Sequence, residues 1–262
     1  MTLLQHYGDG QVLKLMSGSA SIPVLSQARS PEADHVERYV ALLTAAGVRL
    51  PADVKVVRSG GRAAVQHQWL PGTALPDLAE SDPAAFLTSV RQVATWAACL
   101  DATSARLDTN LANFVTSECG LVCVDVLPPL LTDLRPPERD DWQTLFGALC
   151  YDTDITLCAL AGYAGRALLA ARKSVPAGGI EELSGLCPGH QDPNRLPARW
   201  FHTRHHAALA ALRNLLPRQS ALAAFTATSV LRLRNTPPQH RQERIDAGLA
   251  ALAELRLGEA GT

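Results

Sequence analysis

The chain has 262 residues, of which 47% are hydrophobic and 19% are charged, and its formal net charge is -1. This composition excludes an intrinsically disordered chain, and the length allows two lobes or one large domain. Without a basic excess, the sequence predicts neither a nucleic-acid partner nor an anionic membrane partner. The N-terminal segment has no basic region followed by an apolar stretch, and no window approaches about 18 apolar residues. We therefore expect a soluble, cytoplasmic protein.

The first eighty residues predict a small β-rich region around one helix. Residues 3–15 read as two short strands around a glycine-containing turn. Residues 31–46 have apolar side chains at helical spacing, with Ser30 as N-cap and Gly47 just past the end. The apolar runs within residues 54–70 predict a second hairpin, which Pro71 and Gly72 close.

After about residue 82 the sequence becomes rich in alanine and leucine, which predicts a helical region. One hairpin interrupts it at 113–126, and the loop at 174–198 is the best candidate for a mobile or substrate-facing segment. The expected fold class is therefore α+β, with a β-rich lobe at 1–75 and a larger helical lobe at 76–262. The predicted helices span residues 83–101, 139–173, 203–216, 220–233 and 240–257.

The cysteines have no CxxC spacing, so the sequence indicates neither a disulfide framework nor a zinc knuckle. We expect buried free thiols, because unpaired cysteine behaves as a small hydrophobic residue. The six positions are Cys99, Cys119, Cys123, Cys150, Cys158 and Cys187.

Three polar side chains near the predicted hairpin form a pattern suited to phosphoryl transfer. Asp108 is followed five residues later by Asn113, and Asp125 ends the next apolar strand. A carboxylate orients an acceptor hydroxyl and accepts its proton, while amide and carboxylate oxygens hold magnesium ions that bridge nucleotide phosphates. Because a hairpin lies between Asn113 and Asp125, we expect both metal ligands to return to one point.

The stretch LDTNLANFVTSECGLVCVDV resembles the catalytic loop and metal-binding strand of the aminoglycoside-phosphotransferase and protein-kinase-like superfamily. The resemblance implies a two-lobed kinase-like fold that uses ATP and Mg²⁺. It implies that Asp108 is the catalytic base, that Asn113 is a magnesium ligand, and that Asp125 is the aspartate of the metal-binding motif. The motif covers only this stretch, whereas the order of the lobes extends the resemblance to most of the chain.

The same resemblance suggests a nucleotide site in the β-rich lobe. Lys14 resembles the strand lysine that contacts the α- and β-phosphates, and only three of the 24 basic residues are lysines. Glu37 is its expected ion-pair partner, with Glu32 as a competitor. Backbone groups near Gln68 to Leu70 are expected to meet the adenine edge.

Three features depart from the superfamily pattern. Arg106 occupies the position of the usual histidine, so the hydrogen bonds that support the loop must be rebuilt. Val126 and Leu127 replace the usual aromatic-glycine pair. Only thirteen residues precede Lys14, so we expect the first strand and the glycine-rich turn that covers the phosphates to be missing or compressed into the Tyr7-to-Gly10 region, which leaves a truncated loop.

The resemblance implies an O-phosphotransferase with two possible classes of acceptor. One is an antibiotic-like small molecule. The other is a Ser or Thr hydroxyl of a biosynthetic precursor peptide, as in lanthipeptide and thioamitide (RiPP) pathways, where a partner lyase would complete the reaction. The alternative is a catalytically impaired pseudokinase that acts as a binding subunit of a biosynthetic complex. The sequence leaves the oligomeric state open.

Two further polar groups have simpler interpretations. His202 and His206 are one helical turn apart, but the sequence shows no third zinc ligand nearby, so a solvated basic helix start is preferred. Asp140 and Asp141 follow a proline pair and are typical of a helix N-terminus, where the helix dipole favours carboxylates.

Overall fold

The computed structural model describes residues 2–6, 10–16, 33–59, 62–189, 192, 194–234 and 236–259. Helices and short antiparallel sheets are both present, which confirms the predicted α+β class. The chain divides into two units. The sheet unit comprises Met1–Leu75 and Thr95–Pro137, and the helical unit comprises Pro76–Ala94 and Glu138–Thr262.

The sheet unit contains a four-stranded antiparallel sheet in the order β1-β2-β4-β3. Its strands are β1 (Thr2–His6), β2 (Gln11–Met16), β3 (Lys55–Ser59) and β4 (Arg62–Gln68). Both predicted hairpins are confirmed, although residues 7–9 and 60–61 of their turns lie outside the described residues. Lys14 lies opposite Val65 and, because side chains alternate along a strand, on the same face as His67.

One helix, α1 (Ala33–Ala45), follows β2 and lies within the predicted span of 31–46. Its predicted N-cap falls outside the described residues. Gly47 ends it in the left-handed conformation (φ 79°), and the N–H of Val48 donates to the carbonyl of Leu43 at 3.0 Å. The buried face repeats about once per turn. It consists of Ala33, Val36, Tyr39 and Leu43.

A second, three-stranded sheet has the order β5-β6-β7, with β5 at Thr73–Ala74, β6 at Phe114–Ser117 and β7 at Gly120–Cys123. The β6–β7 pair confirms the hairpin predicted at 113–126. Strand β5 was not predicted. Gly72, just before it, passes close to β6, where a Cβ would lie 2.4 Å from the carbonyl oxygen of Thr116. Only glycine therefore fits here without displacing the backbone.

The hairpin belongs to the sheet unit, although the predicted boundary groups it with the helical residues after 75. Strand β5 pairs with β6, and the N–H of Cys123 donates to the carbonyl of Arg49 at 2.8 Å. These backbone bonds connect the hairpin to the N-terminal strands and their loops. Residues 95–137 are consequently part of the same compact unit as residues 1–75.

The helical residues form nine further helices within the described part of the chain. They are α2 (Leu75–Ser81), α3 (Pro83–Leu100), α4 (Asp141–Tyr151), α5 (Thr153–Ala171), α6 (Gly179–Leu186), α7 (Leu196–Leu212), α8 (Arg218–Ala227), α9 (Val230–Leu233) and α10 (Pro238–Glu259). The single helix predicted at 139–173 is wrong, because Asp152 is extended and separates α4 from α5. The carboxylate of Asp152 accepts a hydrogen bond from the side chain of Arg195. The loop predicted at 174–198 is wrong in part, since it contains α6.

Helix α5 is long and apolar enough to cross a membrane by length and composition alone, but 61% of that window is buried inside the protein. It packs closely against α7, and a Cβ on Gly165 would lie 2.9 Å from the Cβ of Ala208. This burial is typical of the core helix of a soluble protein.

The cysteines only partly follow the prediction. Cys158 of α5 and Cys187, just after α6, form a disulfide, so the expectation of free thiols is wrong for this pair. The packing of the helices brings them together, although 29 positions separate them in the sequence. The four free cysteines are Cys123, which is buried, Cys150, which is half-buried, and Cys99 and Cys119, which are exposed.

Candidate active site

The predicted catalytic loop, residues 106–113, is anchored at both ends within the sheet unit. At its start the N–H of Arg106 donates to the carbonyl of Leu130 at 2.8 Å, and the hydroxyl of Tyr39 donates to the Arg106 carbonyl at 2.6 Å. At its end the carbonyl of Asn113 accepts a hydrogen bond from the N–H of Val124 at 2.8 Å. The loop is therefore held by bonds to both a helix and neighbouring backbone.

The side chain of Arg106 supplies the support that the sequence left open. The two N–H groups of its Nη1 are shared among the carbonyls of Leu100, Thr103 and Ala105 at 2.8–3.1 Å, and its Nη2 lies 3.5 Å from Asp101. A guanidinium carries five N–H donors in a rigid plane, so one side chain can gather several carbonyls. Arginine at this position thus fastens the preceding turn to the loop.

Asp108 lies half-buried within this loop. One of its carboxylate oxygens, Oδ1, accepts a hydrogen bond from the N–H of Asn110 at 3.0 Å. Burial raises the pKa of Asp108 above its ordinary value, while hydrogen bonds from Asn110 and the side chain of Asn113 act in the opposite direction. A carboxylate with a raised pKa is a stronger proton acceptor, which suits a general base.

Asn113 ends a short 3-10 helix, Leu111–Asn113, and is buried. Its Nδ2 lies 3.5 Å from the carbonyl oxygen of Asp108, and its amide oxygen has no donor among the described residues. The N–H of Val124 donates to the carbonyl of Asn113 at 2.8 Å, which extends the hairpin ladder by one step. As predicted, the hairpin therefore returns Asn113 and Asp125 to the same end.

Asp125 lies just beyond β7 and is largely buried. Its Oδ1 accepts a hydrogen bond from the N–H of Leu127 at 3.3 Å and is 4.0 Å from the Nζ of Lys14. Burial raises the pKa of Asp125, Lys14 opposes this rise, and the negative charge of Asp108 adds to it. A cation at this position would relieve the repulsion between the two carboxylates.

Lys14 is only 7% exposed, which is rare for lysine. Its Nζ donates to the carbonyl of Val124, next to Asp125. Burial lowers the pKa of Lys14, whereas the carboxylate of Asp125 favours the charged form. The structure therefore brings four of the predicted residues together, which we call the acidic cluster: Lys14, Asp108, Asn113 and Asp125.

Glu37 does not join this cluster. It lies on the exposed face of α1, one position beyond buried Val36, and has no ion pair within the part of the chain that is described. The predicted Lys14–Glu37 ion pair is therefore wrong in this structure, because the helix turns Glu37 away and Lys14 pairs with Asp125. The competing residue, Glu32, lies outside the described residues.

The connector from Gln68 to Leu70 follows β4 in the sheet unit. The N–H of Gln68 donates to the carboxylate of Asp53 at 2.9 and 3.1 Å, and the N–H of Trp69 donates to the carbonyl of Gly10 at 2.7 Å. The carbonyl of Gln68 lies 2.7 Å from Nδ1 of His67. Of the three connector residues, Leu70 alone has no backbone hydrogen bond to another described residue.

Two residues near the acidic cluster were not singled out from the sequence. His67 is 4% exposed, and burial lowers its pKa. Cys123 is fully buried, and burial raises the pKa of its thiol to about 12, so it remains protonated and unreactive. The strand alternation that buries Lys14 could have indicated His67, since both lie on one face.

The oxygen atoms of the acidic cluster suit a hard divalent cation. Magnesium prefers carboxylate and amide oxygens, and Asp125 and Asn113 offer one of each at the end of the same hairpin. Lys14 adds one positive charge of the kind that binds phosphate oxygens. The arrangement has the groups needed to bind a polyphosphate with a metal and to accept a proton.

Comparisons with known proteins do not add a relative. No protein family matches this chain, and no curated protein matches it. The functional interpretation therefore depends on the geometry of the acidic cluster.

Proposed function

We propose that this chain is an ATP- and Mg²⁺-dependent O-phosphotransferase with a two-lobed, kinase-like architecture. The observation that carries the proposal is the contact between β2 and the hairpin. The Nζ of buried Lys14 lies 4.0 Å from Asp125, while the backbone bond between Asn113 and Val124 holds Asn113 at the same end. A phosphate-binding lysine and two metal ligands are expected to meet in this way in the superfamily that the motif resembles.

Each residue of the acidic cluster has a separate role in this proposal. Asp108 orients the acceptor hydroxyl and accepts its proton, helped by its raised pKa. Asn113 and Asp125 hold Mg²⁺, which when bound neutralises charge on the nucleotide phosphates. Lys14 binds the phosphates, and Leu70 offers its free backbone groups to the adenine.

The acceptor is an alcohol, either on an antibiotic-like small molecule or on Ser or Thr of a biosynthetic precursor peptide. In the second case a lyase partner would consume the phosphorylated peptide, because phosphate is a good leaving group for elimination. The proposed reaction takes place in the cytoplasm, where ATP and Mg²⁺ are supplied. Burial of the most apolar helix is consistent with a soluble protein.

One observation favours a second candidate, a pseudokinase that binds partners without turnover. Two of the connector N–H groups, those of Gln68 and Trp69, are already bonded to Asp53 and Gly10. A nucleotide would thus find fewer free backbone groups there than the resemblance implies. Binding of ATP without a requirement for Mg²⁺, or no binding, together with no turnover would favour this candidate.

The test begins with the untagged full chain and calorimetric titration of ATP with and without Mg²⁺. Transfer of labelled γ-phosphate is then measured to a panel of aminoglycosides, to Ser- and Thr-containing peptides and to water. Asp108→Asn should lower the transfer rate by about 10²- to 10⁴-fold, the usual contribution of a general base, and change ATP affinity little. Glu118→Gln is the matched control, because this exposed carboxylate lies at the opposite end of the same hairpin.

The two results separate binding from chemistry. Equal rates for Asp108→Asn and wild type would remove Asp108 from the mechanism. Absence of Mg²⁺-dependent ATP binding in the wild type would overturn the proposal as a whole.

A further inference from the structure

Four thiol and imidazole side chains converge in the helical unit, far in sequence from the acidic cluster. We call Cys158, Cys187, His202 and His205 the thiol–imidazole cluster. The ligand atoms of Cys158, Cys187 and His205 all lie within 4.8 Å of one another. The Sγ of Cys187 lies 3.6 Å from Nε2 of His202. Three separate segments, α5, the end of α6 and α7, therefore contribute to one point.

His205 carries a buried nitrogen that no group in the protein satisfies. It is 2% exposed, its Nε2 lies 3.2 Å from the carbonyl of Leu183, and its Nδ1 has no hydrogen-bond partner. If Nε2–H donates to that carbonyl, Nδ1 keeps its lone pair. A buried polar atom without a partner is unfavourable, and a carbonyl that fixes one imidazole nitrogen is the usual support of a metal-binding histidine.

The helix geometry explains how these groups meet. His202 and His205 are three residues apart on α7, so they lie on neighbouring positions of one helix face. Cys158 lies one turn before Gly162 on α5. At Gly162 the two helices approach closely, since a Cβ there would be 3.5 Å from the Cα of His205. The missing side chain of Gly162 thus lets Cys158 approach His205.

We propose that Cys158, Cys187, His202 and His205 form a structural zinc site in the reduced protein. Tetrahedral zinc with bonds of about 2.0–2.3 Å needs its ligand atoms about 3.3–3.8 Å apart. The 3.6 Å separation between Cys187 and His202 lies in that range. Two thiolates cancel the charge of Zn²⁺, so the occupied site is electrically neutral and suited to burial.

The structure shows the two cysteines as a disulfide, which is the oxidised form of this cluster. A phosphine such as TCEP reduces it in water, giving two thiols and one phosphine oxide. Zinc binding then releases the two thiol protons to solvent as the thiolates coordinate. The disulfide and the zinc site are consequently alternative states of the same two sulfur atoms.

The site corrects the sequence interpretation of this histidine segment. That interpretation paired His202 with His206 and lacked a third ligand. The structure places His205 with Cys158 and Cys187, and His202 joins them through its 3.6 Å contact with the Sγ of Cys187. His206 is exposed, and its ring packs against both of these histidines.

The experiment uses the untagged full chain, reduced with TCEP, freed of metal by a chelator and kept under nitrogen. Zn²⁺ is titrated in competition with a chromophoric chelator, and bound metal is counted by mass spectrometry. We expect one tightly bound Zn²⁺ per chain and a higher melting temperature with zinc. Co²⁺ should give the visible bands of a tetrahedral site and the near-ultraviolet band of thiolate coordination. Protein left in the disulfide form should bind neither ion tightly.

Variants separate the proposed ligands from their neighbours. His202→Gln should weaken zinc binding at least about 100-fold, because loss of a ligand exceeds the usual loss from a supporting residue. His202 is only partly buried, so this variant should still fold. His206→Gln and Cys119→Ala are the matched controls, both at exposed positions, and should bind zinc within about threefold of wild type.

Three outcomes would overturn the proposal. They are less than stoichiometric zinc on the reduced wild type, a cobalt spectrum without thiolate bands, and equal zinc affinity in the disulfide and dithiol forms. The wild-type measurements decide the question even if a variant fails to fold. None of them depends on phosphotransferase activity.

Discussion

The acidic cluster of the sheet unit and the thiol–imidazole cluster of the helical unit gather polar side chains in different ways. The first uses oxygen atoms on a loop and a hairpin, with one buried lysine beside them. The second uses sulfur and nitrogen atoms on packed helices. Oxygen ligands favour magnesium and sulfur with imidazole favours zinc, so the two proposals assign a different metal to each cluster.

The two clusters also differ in the structural elements that hold their side chains in place. In the acidic cluster, Asn113 and Asp125 are aligned by the hydrogen-bond ladder of a two-stranded ribbon. In the thiol–imidazole cluster, ligands such as Cys158 and His205 are aligned by the close approach of α5 and α7. We expect the acidic cluster to allow exchange of bound nucleotide. We expect metal binding at the thiol–imidazole cluster to change mainly the stability of the protein.

The largest expected effect separates the two clusters by metal. Asp125→Asn should lower the Mg²⁺-dependent phosphoryl-transfer rate at least about 100-fold, because it removes a proposed metal ligand. Zinc binding by the reduced protein should not change. The measurement is transfer rate against Mg²⁺ concentration, with Asp34→Asn, an exposed carboxylate of α1, as control. If the transfer rate of Asp125→Asn equals that of wild type, the acidic cluster is not catalytic and the proposed difference between the two clusters is wrong.

The next effect concerns the helix that carries the imidazoles. Arg204 of α7 is 2% exposed, donates to the carbonyl of Thr228, and lies 4.6 Å from the ring centre of Phe225 and 5.1 Å from that of Tyr163. Arg204→Met should lower the free energy of unfolding by about 3 kcal/mol, since it removes a charged hydrogen bond and cation–π contacts. Urea denaturation measures this change.

Arg199→Met is the matched control on the same helix, because Arg199 is exposed, and it should change stability by less than about 0.5 kcal/mol. Equal effects of the two substitutions would show that the buried arginine does not stabilise α7.

A smaller effect tests the close approach beside the hairpin of the acidic cluster. Gly72→Ala should lower the free energy of unfolding by about 2 kcal/mol, because the new Cβ would lie 2.4 Å from the backbone oxygen of Thr116. Gly185→Ala in α6 has nothing within 4 Å of the new atom and should be neutral or slightly stabilising. Thermal unfolding of both variants measures the difference. A Gly72→Ala protein as stable as wild type would mean that the connector can move away from β6.

The smallest effect is a pH dependence in the sheet unit. Burial lowers the pKa of His67, Lys14 lowers it further, and Asp53 acts in the opposite direction. The unfolded chain therefore takes up a proton below about pH 6.5 that folded His67 refuses, so stability falls as the pH falls through that value. For one titrating group, the free energy of unfolding cannot change by more than about 1.4 kcal/mol per pH unit.

His67→Gln should make this slope shallower between about pH 6.5 and pH 5, as measured by urea unfolding at several pH values. His240→Gln, at an exposed position of α10, should leave it unchanged. A steeper slope in His67→Gln would show that the buried imidazole is protonated in the folded protein.

The sequence predicted most of the local structure of the acidic cluster because its signals are local. Asp108, Asn113 and the hairpin before Asp125 lie within eighteen consecutive positions, and the turn and strand patterns between them are short-range. Glu37 was misjudged although the spacing carried a signal, because the apolar residues Val36, Tyr39 and Leu43 mark the buried face of α1 and Glu37 lies outside it.

What the sequence by itself determined is the α+β composition, the hairpins of the sheet unit, the end of α1 at Gly47 and the motif residues Asp108, Asn113 and Asp125. Tertiary structure alone decided that Lys14 pairs with Asp125 and that Cys158 and Cys187 meet beside His205. The physical reason is how far apart in the sequence the interacting residues lie. Turns, caps and strand alternation depend on neighbouring residues, whereas a contact between distant residues depends on how whole elements pack.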